Sequence, residues 1–449
     1  MSPGYLAPLQ PACAPQKAEH WTAVMADIEK VVMPGVTHWH HPQFHAYFPT
    51  ANSYPAIVAD MLSGAISCIG FTWLASPACT ELEMLTMDWL GKMLALPEHF
   101  LFGSGGPGGG VIQGTASEAT LVAVLSARTQ AIARHKEKQD QEVHDSNITS
   151  RLVAYCSRQA HSSVERAGML AGVRMRLLES DENFSLRGET VARAAREDRE
   201  QGLVPFCVVA TLGTTSSCAF DKLQELGPVC AELGLWLHVD AAYAGSAFVC
   251  PEFRPLLDGI ELADSFNFNP HKWMLVNFDC SAMWFRDARL TVEAFSVDPV
   301  YLQHRHQGEI PDYRHWQIPL GRRFRSLKLW FVLRLYGVEG IQAHIRTQVE
   351  LAQQFAAMVE KDARFELPVP AVMGLVCFRL KGSNTVNEKL NTRINEAGVI
   401  HVTPSKIRET FILRFAVCSR FTVESDIQLA WDEVRRQVDA MTTTQSTTV

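Results

Sequence analysis

Apolar and polar positions alternate along the middle of the chain with two different periods. Short continuous apolar runs, typical of buried strands, are separated by longer stretches in which apolar residues recur every three or four positions, as on one face of a helix. The strand-like runs are residues 152–156, 206–211, 235–239, 265–268 and 282–285, and the helical stretches are residues 116–133, 163–171, 188–201 and 223–233. Because strands and helices follow one another in turn, the pattern predicts an α/β fold around a largely parallel sheet.

Two further local predictions concern the surroundings of this layer. A helix is expected to begin after Ser76, where apolar residues start to repeat at helical spacing, and Thr80 and Glu83 have the spacing of a capping box. Residues 136–150 are polar and of mixed charge, so we expect an exposed loop there.

The pattern changes after about residue 327. A long amphipathic helix is expected up to about residue 361, followed by short strands near residues 374–380 and 411–418 and a terminal helix near residues 424–441. The first 53 or so residues are rich in proline, histidine and aromatic residues and show little periodicity. We therefore predict an N-terminal segment (1–53), a large α/β domain (54–327) and a small C-terminal α+β domain (328–449).

The composition excludes several classes of protein. The 449 residues are 47% hydrophobic, which is typical of a globular chain rather than a disordered one. The formal net charge of −7, with both signs interspersed, argues against a nucleic-acid or anionic-membrane partner. No run is apolar enough for a membrane span, and the N-terminus lacks the pattern of a signal peptide. Eleven scattered cysteines without a CxxC pair are expected to be reduced thiols in a cytoplasmic protein.

One lysine stands in an apolar segment where a charge is costly to bury. Lys272 lies within residues 267–273, and desolvation there lowers an amine's pKa and makes it a Schiff-base nucleophile. About thirty residues earlier, Asp240 ends the strand-like run 235–239. An aspartate at a strand end followed by a lysine is the arrangement that pyridoxal phosphate requires, because the aspartate keeps the ring nitrogen protonated and the lysine binds the aldehyde.

Three other segments are candidate cofactor contacts when they are considered together with Lys272 and Asp240. Residues 108–120 place a glycine-rich turn and small hydroxyl residues at a helix start, which on its own more often indicates simple helix capping. Because the chain also contains Lys272 and Asp240, this segment is predicted to bind the cofactor's phosphate. His161, at a strand-to-helix junction, is a candidate to stack on the cofactor ring, and residues 211–215 open toward the same region.

The N-terminal segment and a later loop contain two more candidate features. Residues 38–41 include three histidines, but no carboxylate or thiol lies at supporting spacing, so an aromatic pocket wall around Trp39 is favoured and no metal is expected. Residues 296–316 form a polar loop that we interpret as a mobile lid. Tyr301 in this loop is a candidate proton donor.

Four motifs together resemble the group II pyridoxal-phosphate decarboxylases that act on aromatic amino acids; they are residues 160–165, 238–245, 269–273 and 312–321. The resemblance runs from residue 3 to about residue 441. It implies the fold type I of pyridoxal-phosphate-dependent transferases, with a large domain on a mostly parallel seven-stranded sheet and a smaller C-terminal α+β domain. It further implies pyridoxal 5'-phosphate as cofactor, a homodimer, and conversion of L-DOPA to dopamine and of 5-hydroxytryptophan to serotonin.

The resemblance also implies roles for individual residues. The catalytic residues implied are Lys272, Asp240, His161 and Tyr301. The residues implied to bind the cofactor are these first three together with Ala116, Ser117, Thr215, Ala242, Asn269 and His271. The residues implied to form the substrate pocket are Trp39, Tyr47, Phe48, Pro49, Thr50, Ile69, Phe71 and Gly321, of which Ile69 and Phe71 would come from the second subunit.

Related activities remain as alternatives. Histidine decarboxylases resemble this chain but carry serine at the position of Gly321, insect aldehyde synthases carry asparagine at that of His161, and plant aldehyde synthases carry phenylalanine at that of Tyr301. All three comparisons favour decarboxylation of aromatic amino acids. An aminotransferase is the rival within enzymes, because such enzymes fix the substrate carboxylate with a small-domain arginine and Arg414 is a candidate.

This chain departs from the family pattern at two places. The family has a further helical segment before the motif that begins at Pro3, and this chain starts there, so we expect a weaker dimer. An impaired chain that acts as a regulatory or inert dimerising subunit is therefore the alternative outside enzymes. The lid is also slightly shorter around residues 308–311.

Overall fold

The computed structural model describes residues 2–138, 143–297, 299–302 and 305–446, and the side chains of Tyr301 and of residues 443–446 lie outside the described part. The strands are β1 (Phe44–His45), β2 (Gly109–Gln113), β3 (Leu152–Ser157), β4 (Arg174–Leu178), β5 (Val204–Thr211), β6 (Trp236–Asp240), β7 (Ser265–Phe268), β8 (Ser281–Phe285), β9 (Phe365–Glu366), β10 (Leu375–Leu380), β11 (His401–Ile407) and β12 (Thr410–Ala416). The helices are α1 (Trp21–Asp27), α2 (Tyr54–Ile66), α3 (Pro77–Met93), α4 (Ala116–Glu137), α5 (Asp145–Thr149), α6 (Ser162–Ala171), α7 (Gly188–Glu200), α8 (Leu223–Leu233), α9 (Pro270–Trp273), α10 (Arg289–Phe295), α11 (Ser326–Lys361), α12 (Asn384–Ala397) and α13 (Glu424–Ser446).

A seven-stranded sheet forms the centre of the large domain. Its strand order is β2-β8-β7-β6-β5-β3-β4, and only β8 runs antiparallel to its neighbours. Helices cover both faces of a sheet of this kind, so its central strands are buried on both sides and read as continuous apolar runs. That is why the five strand-like runs in the sequence could be found. The predicted α/β fold with a mostly parallel seven-stranded sheet is confirmed.

Neither edge strand of this sheet was predicted from the sequence. The segment of β2 is glycine-rich and was expected to be only a turn at a helix start. Its glycines are required by close packing, because a Cβ on Gly108 would lie 1.8 Å from the carbonyl oxygen of His99 and one on Gly109 would lie 2.3 Å from the Phe102 ring. The other edge strand, β4, is only partly buried and contains two arginines, so it lacks the apolar signal.

A second sheet of five strands has the order β1-β11-β12-β10-β9. Its first strand, Phe44–His45, comes from the N-terminal segment and pairs in parallel with β11. The long helix α11 was predicted as continuous but is broken at Gly337, whose φ of 64° no helix accommodates. The division of the chain into three parts at residues 53 and 327 stays a prediction.

Two local predictions were wrong. The helix α3 begins at Pro77, as expected, but Thr80 and Glu83 lie inside it, both are buried, and no capping box forms. The segment 136–150 is not one loop, because α4 continues to Glu137 and the short helix α5 follows at Asp145–Thr149. In the part of the chain that the structure describes, no helix is long and apolar enough to cross a membrane.

Candidate active site

A cavity of about 320 Å³ lies beyond the carboxyl ends of β5, β6 and β7, within the usual size of small-molecule sites. The pairing of Thr211 with Asp240 and of Asp240 with Asn267 brings three strand ends to one level. The residues that line the cavity are Tyr47, Phe48, Thr115, Ala116, Ser117, His161, Ser163, Thr211, Gly213, Thr215, Asp240, Ala242, Tyr243, Asn269, His271, Lys272 and Arg414.

Lys272 is held at this cavity by a single helical turn, α9. Its backbone N–H donates to the carbonyl oxygen of Asn269 (2.9 Å), and the next residue, Trp273, is completely buried and anchors the turn. Burial lowers the pKa of the Lys272 amine, while the nearby Asp240 carboxylate opposes that shift. An amine with a lowered pKa is more often neutral and therefore nucleophilic.

Asp240 is the last residue of β6 and is 3% exposed. Its Oδ1 accepts a hydrogen bond from the N–H of Ala242 (3.0 Å). Burial raises the pKa of this carboxyl, and the Lys272 charge and the Ala242 hydrogen bond act in the opposite direction. A positively charged group bound between Asp240 and Lys272 would keep the carboxylate ionised, as an opposite charge at short range does.

The N-terminus of α4 forms another wall of the cavity. Thr115 caps the helix by accepting from the N–H of Glu118 (3.2 Å), and Ala116 and Ser117 follow in the first turn. Helix N–H groups in this turn have no partner within the helix and, with the helix dipole, attract an anion. His271 also lines the cavity. Burial lowers its pKa to about 3, so its imidazole is neutral.

His161 stands at the start of α6 and caps it. Its Nδ1 accepts from the N–H of Ser163 (3.2 Å), so in the neutral ring the proton is on Nε2. Partial burial, and then the charge of Lys272, lower the pKa of His161. The imidazole is thus a neutral donor at the cavity wall.

Arg414, on β12, also lines the cavity, and it was expected there only as the carboxylate-binding arginine of the aminotransferase alternative. It is 3% exposed, and its guanidinium makes one long hydrogen bond, from Nη1 to Thr403 Oγ1 (3.4 Å). Its Nε and Nη2 have no partner, and no carboxylate in the described residues pairs with it. Burial lowers the pKa of Arg414. Arg414 is a single charge inside an apolar strand, which is the same signal that identified Lys272.

The structure brings all nine predicted cofactor residues to one cavity, but only part of the predicted substrate pocket. Tyr47 and Phe48 line the cavity, and Trp39 stacks on Tyr47 with ring centroids 5.3 Å apart. Pro49 is buried nearby, and the hydroxyl of Thr50 donates to the carbonyl oxygen of His271 (3.2 Å).

Three predicted pocket residues lie elsewhere on this chain. A Cβ on Gly321 would lie 3.8 Å from Ile69 Cγ2, so these two residues are neighbours, and Ile69 is 54% exposed. Phe71 is two residues from Ile69, and its carbonyl oxygen accepts from the N–H of Arg314 (3.1 Å). Tyr301 lies in the turn Val300–Leu302, and its side chain is outside the described part.

Several buried polar atoms that line the cavity have no hydrogen-bond partner in the described protein. The buried Thr211 Oγ1, Asn269 Oδ1 and the Nε and Nη2 of Arg414 have no partner within the described protein, although all three residues line the cavity. Buried polar atoms are normally hydrogen-bonded, so unpaired ones converging on one cavity indicate a bound group. The donor set fits pyridoxal phosphate: the N-terminus of α4 would hold its phosphate, and Asp240 and Lys272 would hold its ring.

The model of the pyridoxal-dependent decarboxylase conserved domain matches residues 3–381. The chain belongs to the pyridoxal-dependent decarboxylase family. Its cofactor is pyridoxal phosphate, as predicted. The aromatic-L-amino-acid decarboxylase of Manduca sexta is 65% identical over 435 residues, which cover 97% of this chain and 85% of that protein. The predicted relationship to this group of decarboxylases is confirmed.

Solved structures extend the similarity to the fold. Oryza sativa TDC with PLP and tryptamine superimposes with a TM-score of 0.95 at 39% identity, covering 98% of this chain and 92% of that one. Rhodiola rosea 4-hydroxyphenylacetaldehyde synthase superimposes with a TM-score of 0.91 at 37% identity and the same coverage. Because proteins named for different reactions share the fold, the reaction has to be argued from the site.

Proposed function

We propose that this chain is a pyridoxal-phosphate-dependent decarboxylase of aromatic L-amino acids, which converts L-DOPA to dopamine and 5-hydroxytryptophan to serotonin. The observation that carries the proposal is the arrangement of Lys272, Asp240 and His161 around one cavity that also holds the unpaired Arg414. The names of the most similar relatives support the same reaction.

When bound, pyridoxal phosphate supplies a ring that accepts the electron pair left on carbon as the carboxyl group departs as carbon dioxide. The chain holds this group in place. Asp240 would keep a proton on the ring nitrogen, and Ala242 and His161 would hold the ring at its two faces. The residues proposed to bind the phosphate are Ala116, Ser117, Asn269 and His271, with Thr215 beside the ring.

Arg414 is proposed to bind the carboxylate of the incoming amino acid. Its free Nε and Nη2 match the two oxygens of a carboxylate, and a buried guanidinium without a counter-ion binds an anion strongly. An arginine in this role suits an aminotransferase as well, so Arg414 supports recognition of an amino acid rather than one particular reaction. The relatives named as decarboxylases favour loss of carbon dioxide.

Tyr301 is proposed to donate the proton that carbon receives after carbon dioxide has left. A lid residue can reach the reacting carbon and exclude water at the same time. Replacement by phenylalanine removes the donor hydroxyl, and Tyr301→Phe is expected to release aldehyde, ammonia and hydrogen peroxide at the expense of amine and with consumption of oxygen. Unchanged amine formation by Tyr301→Phe would assign the proton to another group.

The substrate pocket is proposed to be completed by a second copy of the chain. Ile69 and Gly321 form a surface separate from the cavity, and nearby α2 exposes large apolar side chains such as Tyr54 (69% exposed) and Met61 (71% exposed). In a homodimer this surface reaches the partner's cavity, next to Trp39, Tyr47 and Thr50. The buried reduced cysteines support a cytoplasmic location.

A mixed dimer tests this arrangement. Two separate variants are made. Lys272→Ala removes the amine from a chain's own site, whereas Ile69→Arg blocks the site of the partner chain. Each variant alone is expected to be inactive. Co-expression is expected to restore activity, because one of the two sites then contains Lys272 from one chain and Ile69 from the other. Absence of restored activity in a purified mixed dimer would contradict a shared site.

The covalent role of Lys272 is tested by reduction with borohydride, which fixes a pyridoxal group to the lysine that carries it. Peptide mass spectrometry is expected to find the group on Lys272. Lys328 is the matched control, because it is also buried but donates to the carbonyl oxygens of Asn277 (3.2 Å) and Asp279 (3.0 Å) outside the cavity. A tag on Lys328, or full activity of Lys272→Ala, would overturn the proposal.

A further inference from the structure

Three aromatic rings and one guanidinium form a continuous stack at the cavity. The rings of Phe48 and Tyr243 lie 3.6 Å apart between centroids at an angle of 9°, and those of Tyr243 and Trp273 lie 4.7 Å apart at 12°. The guanidinium carbon of Arg414 lies 4.8 Å from the centroid of Phe48. We call Phe48, Tyr243 and Trp273 the aromatic column, with Arg414 at one end.

The column is firmly anchored. The hydroxyl of Tyr243 accepts from the N–H of Gly374 (3.2 Å), and the indole of Trp273 donates to Gln348 Oε1 (2.5 Å). Both Tyr243 and Trp273 are buried, and Trp273 directly follows Lys272 in the chain. The column therefore connects the residue next to the reactive amine with the guanidinium on β12.

The geometry of the column has an electrostatic reason. Face-to-face rings repel each other through their negative faces and are uncommon without compensation. A cation over the outer face of Phe48 draws on that negative charge and offsets the repulsion. In return, the ring stabilises a buried cation without occupying its N–H donors, which a carboxylate partner would do.

We propose that the aromatic column is a positioning device for Arg414: it replaces a counter-ion, so that Nε and Nη2 stay free for the carboxylate of an aromatic amino acid. The proposal rests on the function proposed above for the cavity. It also assigns a different role to Phe48, which was expected to contact the substrate ring. Both faces of Phe48 are covered, one by Tyr243 and the other by Arg414, so only its edge is open to a ligand.

The test compares two ligands that do not turn over. Dihydroxyphenylpropanoate has the catechol ring and the carboxylate of the substrate but no amine, whereas dopamine has the ring and the amine but no carboxylate. Binding of each to the enzyme loaded with pyridoxal phosphate is measured by calorimetry. Phe48→Leu and Phe48→Met, which remove the π face, are expected to weaken the acid by about 5- to 30-fold and dopamine by less than about 2-fold.

Three controls isolate the effect. Phe48→Tyr keeps an aromatic face and is expected to bind the acid like the unaltered enzyme. Phe365→Leu removes a more deeply buried ring, which packs on Trp431 away from the column, and is expected to affect neither ligand. Arg414→Gln is expected to lose the preference for the acid altogether.

Equal weakening of both ligands in Phe48→Leu and Phe48→Met, or unchanged binding of the acid, would overturn the positioning role. If Phe48→Leu does not fold, the comparison of Phe48→Met with Phe48→Tyr decides the question. Because neither ligand is decarboxylated, the result is independent of whether the enzyme releases carbon dioxide, and a failure of the proposed reaction is seen separately in product analysis.

Discussion

Two arginines of similar burial, Arg322 (4% exposed) and Arg414 (3% exposed), have opposite surroundings. Arg322 makes a two-pronged ion pair with Glu83 (2.6 and 3.1 Å), donates from Nε to Gln317 (2.7 Å) and donates to the carbonyl oxygen of Ile112 (3.1 Å). Arg414 has one long hydrogen bond and the face of an aromatic ring. The two side chains therefore need different explanations.

The difference separates a structural charge from a functional one. A buried charge whose donors are hydrogen-bonded contributes to holding elements together, here α3, β2 and the segment that contains Gln317. A buried charge without a counter-ion lowers stability and persists where a ligand uses it. Lys328 and Lys272 repeat the contrast, because the first donates to two carbonyl oxygens and the second faces the cavity.

The largest effect on stability is expected from breaking the paired arginine. Glu83→Ala leaves Arg322 buried without its counter-ion, which is expected to lower the free energy of unfolding by about 3–5 kcal/mol. Urea denaturation at fixed protein and cofactor concentration measures it. Glu252→Ala, which breaks the exposed pair with Arg346, is the control and is expected to cost less than about 1 kcal/mol. Equal losses in both variants would remove the distinction between the pairs.

The unpaired arginine is expected to behave in the opposite way. Arg414→Met removes the proposed carboxylate ligand and is expected to lower kcat/KM for L-DOPA by about 100-fold, which corresponds to about 2.7 kcal/mol. The free energy of unfolding is expected to fall by less than about 1 kcal/mol, because no ion pair is lost. A loss of stability as large as that of Glu83→Ala, with kcat/KM maintained, would make Arg414 structural.

Buried histidines avoid the problem of an unpaired charge by staying neutral. Burial lowers the pKa of His238 and of His45 to about 4, whereas an unfolded chain binds the proton near pH 6.5. Between these values the unfolded state binds more protons than the folded state, so stability falls as the pH is lowered from 6.5 toward 4. Each residue contributes at most about 1.4 kcal/mol per pH unit.

A substitution of His238 tests this dependence of the free energy of unfolding on pH. His238→Asn is expected to reduce the slope of unfolding free energy against pH in that window, and to leave the slope above pH 7 unchanged. Denaturation curves collected from pH 4.5 to pH 8 measure both slopes. An unchanged slope below pH 6.5 would mean that His238 is protonated in the folded protein.

The smallest effect is expected at Gly321. Its nearest neighbour is Ile69 Cγ2, 3.8 Å from the position of a Cβ, so serine fits without strain inside one chain. Gly321→Ser is expected to lower kcat/KM for L-DOPA by only about 3- to 10-fold, or roughly 1 kcal/mol, by adding a hydroxyl to the pocket. Comparison with L-histidine as substrate measures the change in selectivity, and an increase of kcat/KM for L-DOPA would exclude a pocket role.

The sequence allowed the sheet and the reactive pair to be predicted for one physical reason. Central strands are apolar throughout, so Asp240 and Lys272 stand out as charges next to them. Arg414 carries the same signal on β12, but the sequence offered no sign that it has no counter-ion. The aromatic column was not predictable, because Phe48 and Tyr243 are distant in sequence and meet only through the fold.

The wrong predictions also have a physical origin. Thr80 and Glu83 have the spacing of a capping box, yet Glu83 is used by Arg322, 239 positions away, and local spacing carries no information about that partner. His99 closely approaches the backbone of Gly108, just before β2, and Phe102 approaches that of Gly109, so these glycines are explained by packing rather than by a turn. Local rules fail where a tertiary contact decides the residue type.

The most direct test of the proposed reaction is product stoichiometry. The purified chain, loaded with pyridoxal phosphate, is given carboxyl-labelled L-DOPA, and released carbon dioxide, dopamine and hydrogen peroxide are quantified together. One dopamine is expected for each carbon dioxide, without peroxide, and Lys272→Ala is expected to release neither product. A keto acid that retains the label, or an aldehyde formed together with peroxide, would contradict the proposed reaction.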